Sequence, residues 1–290
     1  MTISLDIHPK MQSEQAFRAI AHDCVDRFLH YLPSLRQNWD TEALHQARVS
    51  LRRLVAAMTL FRKMVEDKRY ERLRERVKAL TRTLGEARNL DVFLDAADPE
   101  MQSLRGTVSL LRSQAYAKAI ERLDDPLYRH LPKDLLDWID AGPWRKRRKS
   151  LRERRLDDFA AKRLDRKWRQ FRRQSRKIDA LSPPDRHHVR IAGKKLRYAL
   201  EFLAPLAQGG KRRKRRDRLV GRLKALQDML GQLNDVETGR VLGRTMARRS
   251  RRVAYSAGRL VGAEEARTVP LLKRAAKAAR DLRERKPFWH

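Results

Sequence analysis

The chain has 290 residues, enough for one large domain or two of ordinary size. Its 69 Lys and Arg against 36 Asp and Glu give a formal net charge of +33, which predicts a polyanionic partner: nucleic acid, an acidic membrane or a phosphate polymer. Hydrophobic residues make up 41% of the chain, so it can bury a core and is not expected to be disordered throughout. The single cysteine, Cys24, excludes an intrachain disulfide framework, and no apolar run approaches the roughly 20 residues that span a bilayer. Both features favour a cytoplasmic protein.

The chain reads as a series of helices. Apolar residues recur at spacings of three and four, as in Leu156, Phe159, Leu164, Trp168 and Phe171. The predicted helices, in chain order, cover about 13–32, 41–65, 68–84, 89–97, 100–123, 133–140, 148–178, 184–204, 214–231, 235–256 and 263–284. No stretch alternates with a period of two, so the predicted fold class is all-α without strands.

Charge is distributed unevenly along these helices. Residues 1–143 carry 23 Lys and Arg against 21 Asp and Glu, whereas residues 144–290 carry 46 against 15. Composition alone therefore assigns polyanion binding to the second half.

A motif in the predicted helix 41–65 returns 142 residues later, in the predicted helix 184–204. Residues 45–54, HQARVSLRRL, and residues 187–196, HHVRIAGKKL, share the pattern H-x-x-R-[VI]-x-x-[RK]-[RK]-L. A repeat kept only for packing would need just its apolar positions to match. This repeat also matches a histidine and three basic residues, so it predicts a repeated anion-binding surface.

A helical wheel separates the cationic residues of the motif from the core face. His45, Arg48 and Arg52 lie within roughly 60° of one another, opposite the apolar residues, with Arg53 beside them. The second copy has the same arrangement, formed by His187, Arg190, Lys194 and Lys195, with Arg197 and Tyr198 nearby. Like charges at this spacing repel one another, and a bound anion would relieve that repulsion.

A second repeat follows the first. Residues 76–89, RVKALTRTLGEARN, align with residues 222–235, RLKALQDMLGQLND, at an offset of 146. The two repeats predict homologous helical halves, 12–143 and 144–285, with four extra residues in or near the basic run Lys211–Arg218. Gly85 and Gly231 are predicted to be helix C-caps, where glycine adopts a left-handed conformation at least cost.

Several alternatives stay open at this point. A basic helix face is often only solvated, and each motif histidine is also typical of a buried structural residue or of a helix-start residue bonded to a carboxylate. The run Lys211–Arg218 is typical of a flexible loop or a nuclear import signal as well as of a ligand contact.

Nucleic-acid binding is the main alternative function for the whole chain. Only 7% of the residues are aromatic, and we find neither a strand platform for stacking bases nor a clear helix-turn-helix signature. A scaffold that docks on an acidic protein or membrane surface is a third alternative.

Catalysis is not expected. The sequence around Gly209 and Lys211 lacks the first glycine and the Ser or Thr of a phosphate loop, and no His or Cys pair has convincing zinc spacing. The acidic residues of the second half are scattered singly among Arg and Lys. We therefore predict a non-enzymatic binding protein with no catalytic residue, metal or cofactor.

The two motifs together resemble the CHAD family, the conserved-histidine α-helical domain. The resemblance rests on HQARVSLRRL with LGEARNLDV and on HHVRIAGKKLRYALEFL with LGQLNDV, whose order and spacing cover residues 12–285. It implies a single all-α domain made of two four-helix bundles, with pseudo-twofold symmetry around a basic central groove or pore. It also implies binding of inorganic polyphosphate, often at polyphosphate granules.

The resemblance also implies which residues bind. Carried over by position, the basic groove includes His45, Arg48, Arg52, Arg53, His187, Arg190, Lys194, Lys195 and Arg197. The predicted polyphosphate site further includes cationic residues from the second repeat, namely Lys78, Arg82, Arg88, Arg222 and Lys224.

Overall fold

Helices make up nearly all the regular structure of the protein. The computed structural model describes residues 6–289, which contain no strand beyond an isolated bridge between Gln12 and Arg155. The α-helices of these residues are α1 (Ser13–Asn38), α2 (Thr41–Val65), α3 (Tyr70–Ala96), α4 (Gln102–Asp124), α5 (Pro126–Arg129), α6 (Leu131–Ala141), α7 (Lys149–Arg152), α8 (Leu156–Gln174), α9 (Pro183–Phe202), α10 (Gly210–Ala247), α11 (Arg251–Ala266) and α12 (Thr268–Arg283). Short 3₁₀ helices cover Pro143–Lys146, Ile178–Ala180 and Ala204–Leu206. The prediction of an all-α fold is confirmed.

Helix boundaries differ from the predictions at several glycines and prolines. The helix predicted at 148–178 is divided into α7, α8 and a 3₁₀ helix, and the one predicted at 235–256 is divided between α10 and α11. The helix α2 keeps its predicted bounds, whereas α1 continues through the exposed Pro33 to Asn38. The helices predicted at 68–84 and 89–97 form one helix, α3, and α10 continues across the break predicted near residue 232. Gly85 and Gly231 therefore lie inside helices, and the prediction that they are C-caps is wrong. Among the glycines of residues 6–289, Gly209 has a positive φ, of 83°.

The chain divides into two compact units. The first contains the residues up to Asp91 together with Leu111–Ala160, and the second contains Val92–Leu110 together with the residues from Ala161 onward. Each unit holds one motif helix, α2 in the first and α9 in the second. The predicted halves 12–143 and 144–285, and their symmetry, stay predictions.

An aromatic cluster forms the core of the first unit. Phe17 contacts the rings of Phe61, Trp138 and Trp144 at centroid distances of 5.5–5.8 Å, and Phe61 stacks on Phe159 at 4.9 Å. All five rings are at most 2% exposed. Each stabilises the fold by roughly 1.5–3 kcal/mol through burial. Because Phe61 lies on α2, the cluster fixes the apolar face of the motif helix.

The second unit has its own aromatic core. Trp168 on α8 stacks on Phe171 at 6.0 Å and meets the edge of Trp289 at 6.4 Å. The motif helix α9 buries Val189 and Leu196 at 1% exposure or less. Its cationic residues are consequently left on the remaining faces of the helix.

Side-chain caps define where both motif helices begin. Asp40 accepts hydrogen bonds from the backbone N–H groups of Glu42 and Ala43 at 2.8 and 3.1 Å, and these bonds help to hold the pKa of Asp40 below its usual value. Ser182 accepts from the N–H of Asp185 at 3.3 Å in the same role. The two caps are 142 residues apart, as are the two motif histidines. Each cap therefore sets the helical phase that places the motif residues on one face.

Candidate anion-binding site

The first unit brings four of the predicted residues together. Burial lowers the pKa of His45, the charge of Arg88 lowers it further, and Arg52 and Arg48 act in the same direction, opposed by Glu42. Buried Nδ1 of His45 and Nε of Arg52 have no hydrogen-bond partner among residues 6–289. We call His45, Arg48, Arg52 and Arg88 the first cationic surface. Its histidine is mainly neutral at pH 7, so it offers one ring N–H beside three permanent charges.

A buried carboxylate holds Arg88 in place. Asp91 on α3, with a side chain only 1% exposed, accepts a 2.7 Å hydrogen bond from Arg112 Nε and a 3.0 Å bond from the Tyr116 hydroxyl. Arg88 Nη1 lies 3.8 Å from the same carboxylate, an ion pair beyond hydrogen-bond distance. Burial, followed by the charge of Asp91, raises the pKa of Tyr116, so the hydroxyl stays a donor. Asp91 is a positioning residue that the sequence analysis missed.

Gly85 makes room for Arg48. A methyl group built at Gly85 would lie 3.0 Å from Arg48 Nη2, so the guanidinium of α2 rests directly on the backbone of α3. Glycine inside a helix costs roughly 0.5–1 kcal/mol relative to alanine. The close approach of Arg48, and not a helix end, accounts for the glycine at this position.

The second unit repeats this arrangement with different chemistry. A methyl group built at Gly231 would lie 3.8 Å from Arg190 Nη2, an ordinary van der Waals distance. His187 Nδ1 donates to Asn234 Oδ1 at 2.6 Å, and Asn234 aligns with Arg88 in the second repeat. His45 thus faces a guanidinium, whereas His187 faces a neutral amide. His187 and Asn234 line a cavity of about 390 Å³.

Lys167 on α8 adds a cation that the sequence analysis did not predict. Burial, followed by the charges of Lys195, Arg166 and Arg163, lowers the pKa of Lys167 to about 8. Lys195 belongs to the motif, so α8 contributes to the same charged region as α9. We call His187, Arg190, Lys194, Lys195 and Lys167 the second cationic surface.

Three other predicted residues, Arg53, Lys78 and Arg197, donate hydrogen bonds or form ion pairs with residues of their own unit. Arg53 hydrogen-bonds Cys24, the buried thiol whose pKa burial raises to about 12. Lys78 pairs with Glu75 at 2.7 Å.

Arg197 has two such partners, since its Nε donates to Gln227 at 2.8 Å and its Nη1 to Glu201 at 2.5 Å. Arg82, Arg222 and Lys224 are exposed on α3 and α10. The membership of these residues in a polyphosphate site stays a prediction.

The basic run Lys211–Arg218 is helical. It forms the first turns of α10 and is largely exposed, with Arg216 Nη1 donating to the carbonyl of Ala204 at 2.9 Å. The flexible-loop interpretation of this run is therefore wrong. Cations at a helix N-terminus meet the positive end of the helix dipole and repel one another, so bound anions would stabilise these turns.

Matched substitutions at the two glycines test the placement of the motif arginines. We expect Gly85→Ala and Gly231→Ala each to raise the free energy of unfolding by up to about 1 kcal/mol, because both lie inside helices. Polyanion affinity should fall a few-fold only for Gly85→Ala, since Arg48 must move and Arg190 need not. Urea unfolding and a polyanion titration of both variants measure this. An equal affinity loss in both would contradict the placement of Arg48.

Within the part of the chain that the structure describes, no group of three or more His, Cys, Asp or Glu side chains is placed to hold a metal ion. No helix in that part is both long enough and apolar enough to cross a membrane.

The fold and site define an all-α protein with cationic motif helices, and comparison with known proteins gives its class. The family model described as the CHAD domain matches residues 19–244. The chain belongs to the CHAD domain family. No curated protein matches it at a significant level.

Two solved structures share the fold. The CHAD domain from the plant Ricinus communis superposes with a TM-score of 0.83 at 23% identity, covering 96% of this chain and 95% of that one. PptA from Streptomyces chartreusis superposes with a TM-score of 0.66 at 17% identity, covering 93% of this chain and 99% of that one.

Proposed function

We propose that the protein binds inorganic polyphosphate, without catalysis, through the first and second cationic surfaces. The first cationic surface carries this proposal. It places His45 among Arg48, Arg52 and Arg88, and burial, followed by the positive charges of these arginines, lowers the pKa of the histidine. A phosphate chain would replace this mutual repulsion by attraction, and its oxygens would accept hydrogen bonds from the partly exposed arginine side chains.

The chemistry of the side chains suits a repeating phosphate chain. Arginine offers a planar fork that can bind two oxygens at once, and lysine offers a compact charge. The second unit supplies lysines where the first supplies arginines, at residues 194 and 195 against 52 and 53. Such an array would bind successive phosphates without requiring one particular conformation of the chain, and its affinity would fall steeply with increasing salt concentration.

The proposed groove lined by both motifs follows from the CHAD resemblance. Engagement of one polyphosphate chain by both surfaces would raise the apparent affinity above that of either surface alone. In a cytoplasmic protein, the same binding would favour association with polyphosphate granules.

The scarcity of exposed aromatic rings favours polyphosphate over nucleic acid. Among residues 6–289, Tyr255 is the one Phe, Tyr or Trp that is exposed, at 68%. Tyr198, beside the second motif, is 4% exposed and therefore not a stacking platform. Proteins that bind single strands commonly stack bases on aromatic side chains, each stack contributing about 1–3 kcal/mol.

A competition experiment tests the proposal. Fluorescent long-chain polyphosphate bound to the full chain is displaced by unlabelled polyphosphate, RNA or duplex DNA at equal phosphate concentration and about 0.15 M salt. We expect both nucleic acids to compete at least ~10-fold less well than polyphosphate. The cationic surfaces have no exposed aromatic ring on which a base could stack, so the bases would add nothing to the affinity. Displacement by RNA or DNA as good as that by polyphosphate would instead support the nucleic-acid alternative.

A further inference from the structure

The second unit contains another group of cationic side chains, none of which belongs to either cationic surface. A cavity of about 370 Å³ lies where α8 and α12 end. It is lined by Arg172, Arg176, Lys177, Arg280, Arg283 and Glu284. Five cations and one carboxylate thus line one open depression on the surface, and all of these residues except Arg283 are exposed.

The cavity has a defined backbone framework. Arg283, the last residue of α12, donates a hydrogen bond from Nη1 to the carbonyl of Ser175, just beyond the end of α8. Lys177 adopts a left-handed conformation with φ of 50°, and Ile178 after it is 1% exposed. That conformation costs a residue other than glycine about 1–2 kcal/mol, and such strain concentrates at functional sites. Buried Ile178 and the Arg283 bond hold this turn in place.

The protein neutralises the charge in the cavity only in part. Among residues 6–289, none of the six lining side chains takes part in an ion pair. Burial lowers the pKa of Arg283, and the charges of Arg176, Arg280 and Arg172 lower it further, so these guanidinium groups interact through their like charges.

Basic residues near helix C-termini also have a structural explanation, because each C-terminus carries a partial charge of about −0.5. Two helix ends offset about one of the five cations, and Glu284 offsets another. About three positive charges are left, which is more than helix stabilisation requires.

We propose that this cavity binds a short inorganic oligophosphate of two or three linked phosphates. The size of the cavity suits a compact anion more than an extended chain. The three or four negative charges of such an oligophosphate match the excess of cations in the cavity. Arginine forks from two helices would bind neighbouring phosphates. The site is independent of the proposed polyphosphate binding, since it shares no residue with the motif surfaces.

Calorimetric titration with sodium tripolyphosphate tests this site. The titration uses the full chain carrying Arg48→Ala, Arg52→Ala, Lys194→Ala and Lys195→Ala, so that the motif surfaces are weakened. We expect one tripolyphosphate site to persist, and a further Arg176→Ala/Arg280→Ala change to weaken it at least ~10-fold. Arg176→Lys/Arg280→Lys, which keeps the charge but removes the forks, should give an intermediate loss.

The control is Arg249→Ala/Arg252→Ala, which removes the same charge from two equally exposed positions outside the cavity, one just before α11 and one in its first turn. An equal loss in this control, or equal binding of sulfate, would reduce the cavity to a general counterion patch and overturn the proposal. So would an absence of tripolyphosphate binding in a chain whose circular dichroism and thermal unfolding match the parent. Loss of long-chain binding with the tripolyphosphate site intact would separate the two proposals.

Discussion

Replacing Arg48 and Arg52 by alanine weakens the binding of long-chain polyphosphate by about 30-fold at about 0.15 M salt, which corresponds to ~2 kcal/mol. We expect this although residues 1–143 have almost equal numbers of basic and acidic side chains. The reason is local, since both arginines lie beside His45 and Arg88 in the first cationic surface. Polyphosphate titration by fluorescence anisotropy measures the effect, and the slope of affinity against salt should fall with it.

The matched control for this variant is Lys68→Ala/Arg72→Ala. These two exposed cations also lie in the first unit, and their loss changes the net charge by the same amount. We expect at most a two- to threefold effect, because exposed charges are largely screened at this ionic strength. If Arg48→Ala/Arg52→Ala behaved like this control while Lys194→Ala/Lys195→Ala abolished binding, the first surface would play no part.

Removing the Asp91 carboxylate destabilises the protein by about 3 kcal/mol. Asp91→Ala leaves the Arg112 guanidinium and the Tyr116 hydroxyl without their acceptor, and breaking a buried pair from one side costs ~3–5 kcal/mol. We expect the lower end of that range because the Arg112 side chain is 22% exposed. Urea unfolding followed by circular dichroism gives the change in unfolding free energy.

Tyr116→Phe provides the comparison for Asp91→Ala. It removes the hydroxyl that donates to the Asp91 carboxylate and leaves the Asp91–Arg112 pair, so we expect a loss of about 1 kcal/mol. A similar loss for both variants would mean that the carboxylate contributes little beyond the tyrosine bond. Polyphosphate affinity of folded Asp91→Ala should also fall, since Arg88 would lose the group that positions it.

The helices could be predicted from the sequence largely where they have a continuous apolar face, as α2 has. The bounds of α2 follow directly from its apolar period and from Asp40 as a cap. The errors at Gly85 and Gly231 have a physical origin: glycine is typical both of helix ends and of places where another group approaches the backbone. Only the tertiary contact of Arg48 with Gly85 distinguishes the two.

The candidate site was predictable where it lies on one helix. The wheel placed His45, Arg48 and Arg52 together, and the second repeat pointed to Arg88. The partner of His187 was missed, although the alignment of Asn234 with Arg88 was a usable signal. Lys167 was missed because its proximity to Lys195 depends on how α8 packs against α9, and no local pattern reports that packing.

The segments of the two units alternate along the chain, and this order affects folding during synthesis. Residues 92–110 belong to the second unit but precede residues 111–160, which complete the first. At roughly 5–20 residues per second, this segment leaves the ribosome about 3–10 s before the residues from 161 onward begin to follow. Phe93 packs on Gly239 in the folded protein, so its ring stays unburied until residue 239 has also been synthesised. The nascent protein therefore passes through a stage in which the first unit can fold while the buried residues of segment 92–110 still lack their partners.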